Sequence, residues 1–359
     1  MLEAIIISAN IISIFSVIIL AFFIFEKPKK YNYKFYPKVS IIIAAKNEEK
    51  RIAKCISKIL TQNYPKSKME IIIASDSTDR TNEIVKGFGE KVILFNRKNG
   101  KGKWNDLNYS VARSKNDIIV LVDADIEASK NWLKNLVGPF VDEKISLVAG
   151  STSVENPKSN WISSAQALFY SLGNDVTKSL FNHNIIYLAS GQNMAFRKSL
   201  WKKIKFRKSI TEDTDFSVRA QSLGATGKHV HDALVYTRVP TRISDFHNRY
   251  VRWFSIPALN LRIFCFGLLF FFGYLNPGTL LSLIYLLLQP FNQFIFLTLI
   301  IQCFLIVCVY FYYLKIKKRN FGIFSGLYLL FLSFIQFFLF FEARIRRITG
   351  KQISWKRYD

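Results

Sequence analysis

Apolar residues fall unevenly along the chain: almost unbroken over residues 4–25, in short runs between charged stretches from residue 39 to about 262, and dense again over 263–341. In the middle region, VSIIIAA at 39–45 has the length and β-branched content of a buried strand. After it come Lys46-Asn47-Glu48-Glu49 and then Ile52, Cys55, Ile56, Ile59 and Leu60, spaced to share one helix face. The unit recurs: 70–74 predicts a strand with a helix from about Thr81, 92–95 a strand with a helix through Leu107 and Val111, and 118–122 a strand with a helix around 132–140. Strands alternating with helices at this spacing predict an α/β fold, a mostly parallel, doubly wound, Rossmann-like sheet with right-handed crossovers.

The flanking apolar segments predict membrane helices. At 1.5 Å per residue, 4–25 would make a helix of about 33 Å, enough for a hydrocarbon core. The only charge before it is Glu3, whereas Lys27, Lys29 and Lys30 follow, so the rule that positive charge stays inside predicts an external amino terminus and a cytoplasmic domain. Residues 291–314 and 321–341 read as further spans. Residues 263–288 are interrupted by Asn276, Pro277 and Gly278, which predicts a kinked span or a pair of short helices. Basic clusters lie on both sides of the last segment (Lys315, Lys317, Lys318 and Arg319 before it), so the charge rule leaves three or four spans and the side of the carboxyl terminus open. The expected division is a span at 1–25, a linker at 26–37, a catalytic domain at 38–262 ending in interfacial helices, two or three membrane segments at 263–342, and a basic tail at 343–359.

Composition narrows the classes. Lys and Arg outnumber Asp and Glu by 50 to 25, half the residues are apolar and 33 are Phe, which excludes a disordered chain. The four cysteines, Cys55, Cys265, Cys303 and Cys308, form no CxxC pair, so no zinc site or disulfide framework is indicated. No recognition helix or aromatic RNA-binding motif accompanies the basic charge; it points to membrane topology, anionic headgroups and a phosphate-bearing substrate rather than nucleic acid.

Against that background the acidic residues stand at strand ends, where ligands bind in open α/β sheets. Glu48 follows the first strand, Asp76 and Asp79 the second, and Asp123 and Asp125 the fourth. Two carboxylates at i and i+2 crowd negative charge, which Mg²⁺ or Mn²⁺ shared with substrate phosphates would offset.

The ordered set NEE, SDSTDRT, GKWNDLN, DAD, SGQNMAFR, TED (211–213) and RYVRW (249–253) resembles membrane-embedded glycosyltransferases of family 2 with a GT-A fold. The resemblance covers about residues 38–255 and extends to cellulose, chitin and hyaluronan synthases and to ceramide glucosyltransferases. It implies a nucleotide-sugar donor, a lipid or glycan acceptor and an integral membrane protein with a cytoplasmic catalytic domain flanked by transmembrane helices. By residue, it implies that Glu48, Asp76 and Lys103 contact the nucleotide, Asp123 lies by the donor, and Asp125 ligates the metal. It further implies Asp213 as catalytic base with Glu212 beside it, and Arg252 and Trp253 closing the site. Those roles suit an inverting displacement, which needs the leaving diphosphate neutralised and one base to take the acceptor proton.

Departures from the pattern matter too. Ala44 stands where the family often has Pro, and Ser75-Asp76 replaces an Asp pair. Arg249 replaces the Gln of processive synthases, as in ceramide glucosyltransferases, and tilts the expectation toward single transfer to a lipid; a processive polysaccharide synthase is the alternative. Simpler readings stand beside these. Asp76 and Asp79 could cap the helix near Thr81, Lys103 could be an ordinary solvated lysine, and Glu212 and Asp213 could start a helix with Thr211 as cap. Trp253 could be an interfacial anchor, and His229 and His231 simple strand neighbours.

Overall fold

A computed structural model describes residues 1–27, 34–97, 102–209, 211–254, 261–271, 273, 277–289, 291–315 and 325–349. Asn276, Lys317, Lys318, Arg319 and the tail beyond 349, with residues 28–33 of the 26–37 linker, lie outside the described residues. In chain order the elements are α1 (Leu2–Phe25), β1 (Val39–Ala45), α2 (Ile52–Leu60), β2 (Met69–Ser75), α3 (Thr81–Lys86), β3 (Ile93–Asn96), α4 (Lys103–Arg113), β4 (Ile118–Asp123), β5 (Ile126–Ala128), α5 (Trp132–Val137), β6 (Ile145–Val154), α6 (Trp161–Asn182), β7 (Met194–Arg197), α7 (Lys198–Ile204), α8 (Glu212–Ser222), β8 (Thr226–Thr237), α9 (Ile243–Phe254), α10 (Leu261–Phe270), α11 (Pro277–Leu288), α12 (Gln293–Lys315) and α13 (Ser325–Ile348). The chain divides into two compact units, one of residues 27–155 and 177–238, the other of 1–26, 156–176 and 239–359, with the boundary inside α6.

The first unit is built on one eight-stranded sheet, in the order β3-β2-β1-β4-β7-β6-β8-β5. Alternate residues of its central strands serve two cores. Ile41, Ile43, Ile71, Ile73, Val120 and Val122 pack on one face with Cys55, Ile56 and Trp132. Ile42, Ile72, Ile119 and Leu121 pack on the other with Leu107, Val111 and Phe216. Helices thus cover both faces, which is why these strands read as continuous apolar runs.

The sheet is mixed, with six of its eight strands running one way, β6 and β8 among them, and β7 and β5 opposed. β3, β2, β1 and β4 are parallel, as expected. β7 then runs antiparallel to both β4 and β6, and β5 antiparallel to β8. Asn193, just before β7, fixes this insertion: its amide donates to the carbonyls of Ser151 (2.7 Å) and Ala233 (2.8 Å) and accepts from Trp132 Nε1 (2.8 Å). Gly150 makes room for that amide, since a Cβ there would lie 2.4 Å from Asn193 Nδ2 and 2.5 Å from the Ala233 carbonyl. The helix expected over 132–140 stops at Val137 and continues as a 3₁₀ turn, Gly138–Val141. Pro139, which lacks an N–H, cannot extend it in α geometry.

In the second unit α1 packs with α11 and α12. Asn10, fully buried, donates to Ser282 Oγ (2.8 Å) and Thr298 Oγ1 (2.9 Å) and accepts from Gln302 Nε2 (2.9 Å). Phe246, Tyr250 and Val251 of α9 pack with Leu332, Leu339 and Ala343 of α13. Leu261–Phe270 and Pro277–Leu288 are two short helices, with Pro277 starting the second, where its missing N–H costs nothing. α13 runs to Ile348, beyond the apolar stretch, carried by the Glu342–Arg346 pair one turn apart (2.7 Å). Among the described residues α1 is the one helix long and apolar enough to cross a membrane; Pro277–Leu288 and Gln293–Leu305 are shorter apolar helices.

Candidate active site

The carboxyl ends of β1, β2 and β4 lie side by side, because Ala45 pairs with Ser75 and Ala44 with Asp123. The loop after β1 is locked to the loop after β2. Asn47 adopts a left-handed conformation (φ 57°), which Asn tolerates, and its side chain accepts from the Thr78 N–H at 2.8 Å. Its own N–H donates to Ser77 Oγ (2.8 Å), and that of Glu48 to Thr81 Oγ1 (2.6 Å). Asp79 accepts from the Thr81 N–H (3.0 Å), so the capping reading holds for Asp79. Asp76 instead faces the Lys46 ammonium at 3.4 Å.

β4 delivers the DAD pair to two different cations. Asp123 accepts from Lys103 Nζ at 2.8 Å, and Asp125 faces Arg51 at 3.6 Å. Beneath them Cys55 is buried, and its thiol is pushed far above the ordinary range by burial first and then by the fields of Asp125, Asp123 and Glu48.

Lys103, the first residue of α4, also reaches Glu212 at 3.1 Å. Burial opposes its charge, but Asp123, Glu212 and Asp213 outweigh that and hold the ammonium protonated well above the usual lysine range. It is no solvated surface lysine; it bridges residues from β4 and α8. Glu212 is pushed upward, by burial first and by Asp213, while Lys103 pulls the other way. Asp213 is held from two sides: Oδ2 accepts from the Gly191 N–H (2.6 Å) and Oδ1 from the Thr214 N–H (2.8 Å). Gly191 sits so close that a Cβ would lie 3.2 Å from Asp213 Oδ2. Thr211 precedes α8, yet its side chain makes no capping bond, so the expected hydroxyl cap is corrected: the acidic pair meets its donors elsewhere.

Glu48, Asp76, Lys103, Asp123, Asp125, Glu212 and Asp213 all belong to the sheet unit, whereas Arg249, Arg252 and Trp253 lie on α9 in the other unit. There Arg249 is buried with its guanidinium 5.6 Å from the Trp253 ring, and Trp253 packs on Tyr250 and Tyr170. Sequence reasoning missed Arg51, Lys46 and Arg97. Arg97 directly follows β3, bonds Asp106 (3.2 Å) and Asn105 (2.8 Å), and lies over the Tyr109 ring at 3.9 Å. Its signal was available, a basic residue directly after a strand, but the lysine-rich surroundings mask it. His229 and His231 lie two apart on β8, as strand neighbours do.

Residues 40–205 match the model of the glycosyl transferase family 2. The chain carries a family 2 glycosyltransferase domain. Of its relatives, a probable glycosyltransferase, YdaM, of Bacillus subtilis is 32% identical over 236 residues, 62% of this chain and 56% of that protein. A beta-monoglucosyldiacylglycerol synthase of Nostoc is 31% identical over 158 residues, 42% of this chain and 34% of that protein. The chain thus spans about half or less of the length of these relatives. In structure it is similar to the mannosyltransferase PcManGT from Pyrobaculum calidifontis, solved with GDP-Man and Mn²⁺, with a TM-score of 0.65, 17% identity, and 98% and 100% of the two chains covered. That likeness and the mixed Rossmann-like sheet are consistent with a GT-A fold.

The donor set of the family 2 domain suits a hard cation in part. Asp125 offers carboxylate oxygens, the donors Mg²⁺ and Mn²⁺ prefer. Among the described residues no group of three or more His, Cys, Asp or Glu side chains converges, so an ion there would need oxygens from a ligand, as diphosphates supply.

Proposed function

We propose that the protein is an inverting membrane glycosyltransferase that moves a sugar from a nucleotide-diphospho-sugar, UDP- or GDP-linked, to a membrane lipid. The observation that carries this reading is the cluster of Asp123, Lys103, Glu212 and Asp213, joined from β4, α4 and α8 at the carboxyl ends of the strands. Glu48 and Asp76 would meet the nucleotide from the neighbouring loops. Asp125 would hold Mg²⁺ or Mn²⁺, which when bound neutralises the diphosphate; the Mn²⁺ of the Pyrobaculum enzyme supports this.

Asp213 suits the base. Its two oxygens are fixed by backbone N–H groups of Gly191 and Thr214, and a carboxylate has about four lone-pair sites, so it can still accept an acceptor hydroxyl proton. The hydroxyl oxygen then attacks the anomeric carbon, the bond to the diphosphate oxygen breaks, and the configuration inverts once. Glu212 and Lys103 would keep the charge balance around that proton transfer, and Arg249, Arg252 and Trp253 would serve the diphosphate and acceptor side.

Membrane attachment rests on α1 and on the further apolar helices. We read 1–25 as a span, 26–37 as a linker, 38–262 as the cytoplasmic catalytic domain, 263–342 as membrane segments and 343–359 as a basic tail, with nucleic acid excluded as a partner. The Nostoc glucosyldiacylglycerol synthase favours a lipid acceptor. A poly-beta-1,6-N-acetyl-D-glucosamine synthase of Staphylococcus epidermidis, 27% identical over 245 residues, supports the processive alternative.

The test is nucleoside diphosphate release by the purified protein from UDP- and GDP-sugars with Mg²⁺ or Mn²⁺, with and without lipid extract. Lipid- and metal-dependent release from one donor is the expected result, with one added sugar per acceptor; a product ladder would establish the processive alternative. Asp213→Asn is expected to lower turnover by about 10²–10⁴. Unchanged turnover in that variant would remove the base assignment.

A further inference from the structure

Helix α7 and the residues after it, KSLWKKIKFRKS at 198–209, contain six basic residues and no acid. The segment is sorted by depth. Leu200, Trp201 and Phe206 are buried, whereas Lys202, Lys203, Lys205, Arg207 and Lys208 are exposed. No carboxylate among the described residues forms an ion pair with any of these five. The acids that face the segment, Asp117 and Glu70, act on Lys198 at its start, where Lys202 opposes them.

The face is rigid. On α4, Asn108 accepts from Trp201 Nε1 (2.8 Å) and the Phe206 N–H (3.0 Å) and donates to the Phe206 carbonyl (2.9 Å). On α8, Arg219 donates to the carbonyls of Ile204 (2.6 Å) and Lys205 (2.9 Å) while paired with Asp215. The two helices that carry Lys103 and Glu212–Asp213 therefore hold the basic segment as well.

Five cations without a carboxylate partner repel one another; among the described residues Lys205 alone of the five lies near a ring, 5.9 Å from that of Trp201, and fold stability gives little reason to gather them. Their chemistry selects among partners. Single-stranded nucleic acid needs exposed aromatic platforms, and here Trp201 and Phe206 are turned inward. A peptide groove needs exposed apolar anchors, and the outer face offers ammonium and guanidinium groups instead. A surface of many anionic headgroups asks only for outward positive charge, and α1 supports membrane proximity. We propose that the basic face of residues 202–208 docks on the anionic headgroups of a lipid bilayer and fixes the sheet unit against it.

This goes beyond the transfer reaction and is read without turnover. The full chain is placed in vesicles of phosphatidylcholine alone or with phosphatidylglycerol added to give the surface a negative potential. Lysines are then acylated briefly and quantified by mass spectrometry. Labelling of Lys202, Lys203, Lys205 and Lys208 is expected to fall at least about threefold in the anionic vesicles and to recover in high salt, where screening shortens to about 3 Å. Lys86 and Lys144, exposed elsewhere on the unit, serve as internal references. Equal labelling in both vesicles overturns the proposal. So does protection by millimolar glycerol phosphate, or by single-stranded DNA, on neutral vesicles, since either would show another ligand. Flotation with neutral vesicles checks insertion separately, so failure of the α1 reading is distinguishable from failure of the basic face.

Discussion

Removing the Lys103 ammonium should expose how the site's charges are balanced. Lys103 bonds Asp123 at 2.8 Å and Glu212 at 3.1 Å, and the Glu212 side chain is only 9% exposed. A charge-assisted hydrogen bond contributes about 1.5–3 kcal/mol. Since 38% of the Lys103 side chain remains accessible, solvent screening places the coupling in the lower part of that range, about 1.5–2 kcal/mol. Lys103→Met should therefore lower Tm by about 3–8 °C, at about 2–4 °C per kcal/mol for a unit of this size. The decisive measurement is the cycle of Lys103→Met, Glu212→Gln and the double variant by thermal unfolding in detergent. Glu212→Gln alone should be mild, since it relieves a buried charge while Lys103 keeps Asp123, and the double variant should be about 1.5–2 kcal/mol less destabilised than the sum.

The pH dependence has a defined sign. Lys103 has a raised folded pKa, so its contribution is complete below about pH 10.4 and fades only as the pH rises toward the folded value. Glu212 is also raised, so the stability attached to its protonated form is complete below about pH 4.3 and is lost as the pH rises through its folded value. Without Lys103 that folded value rises further, and the Tm deficit of Lys103→Met should shrink between pH 7 and pH 5. An additive cycle together with a deficit independent of pH would refute the reasoning.

If Asp213 is the base as proposed, Gly191→Ala should lower kcat about tenfold with the donor KM within about twofold, because the new Cβ at 3.2 Å displaces its carboxylate and small misplacements of a base are expensive; steady-state kinetics decides. Asp125→Ala should raise the Mn²⁺ concentration for half-maximal turnover at least about tenfold while circular dichroism stays unchanged, and an unaltered metal response would remove Asp125 as ligand. Gly150→Ala should destabilise by about 3 kcal/mol, since its Cβ would meet both the Asn193 amide and the Ala233 carbonyl, and a backbone oxygen cannot move aside; denaturant unfolding reads it.

Much of the first half of the sheet is legible in sequence. VSIIIAA coincides with β1, and the runs at 70–74 and 118–122 lie within β2 and β4, because strands buried on both faces leave no choice of residue type. The second half hides itself. β6, ISLVAGSTSV, mixes Gly, Ser and Thr into the strand, and β7 has only four residues whose antiparallel direction depends on Asn193. At the site, the acidic residues announce themselves by their place after strands. Their partners do not: Lys103 meets Glu212 across 109 positions, and the group that orients Asp213 is a backbone N–H, which no residue type advertises.

The asparagine inside the helical unit has a consequence for biosynthesis. Asn10 leaves the ribosome long before Ser282, Thr298 and Gln302, the side chains that satisfy it. Until they arrive, an amide on an apolar helix has no native partner, and the gap of 272 residues or more makes this a late, non-local closure. Assembly of α1 with α11 and α12 is therefore a late event relative to the synthesis of α1, and chains truncated before residue 282 would leave the Asn10 side chain as a polar mark by which quality control can recognise them.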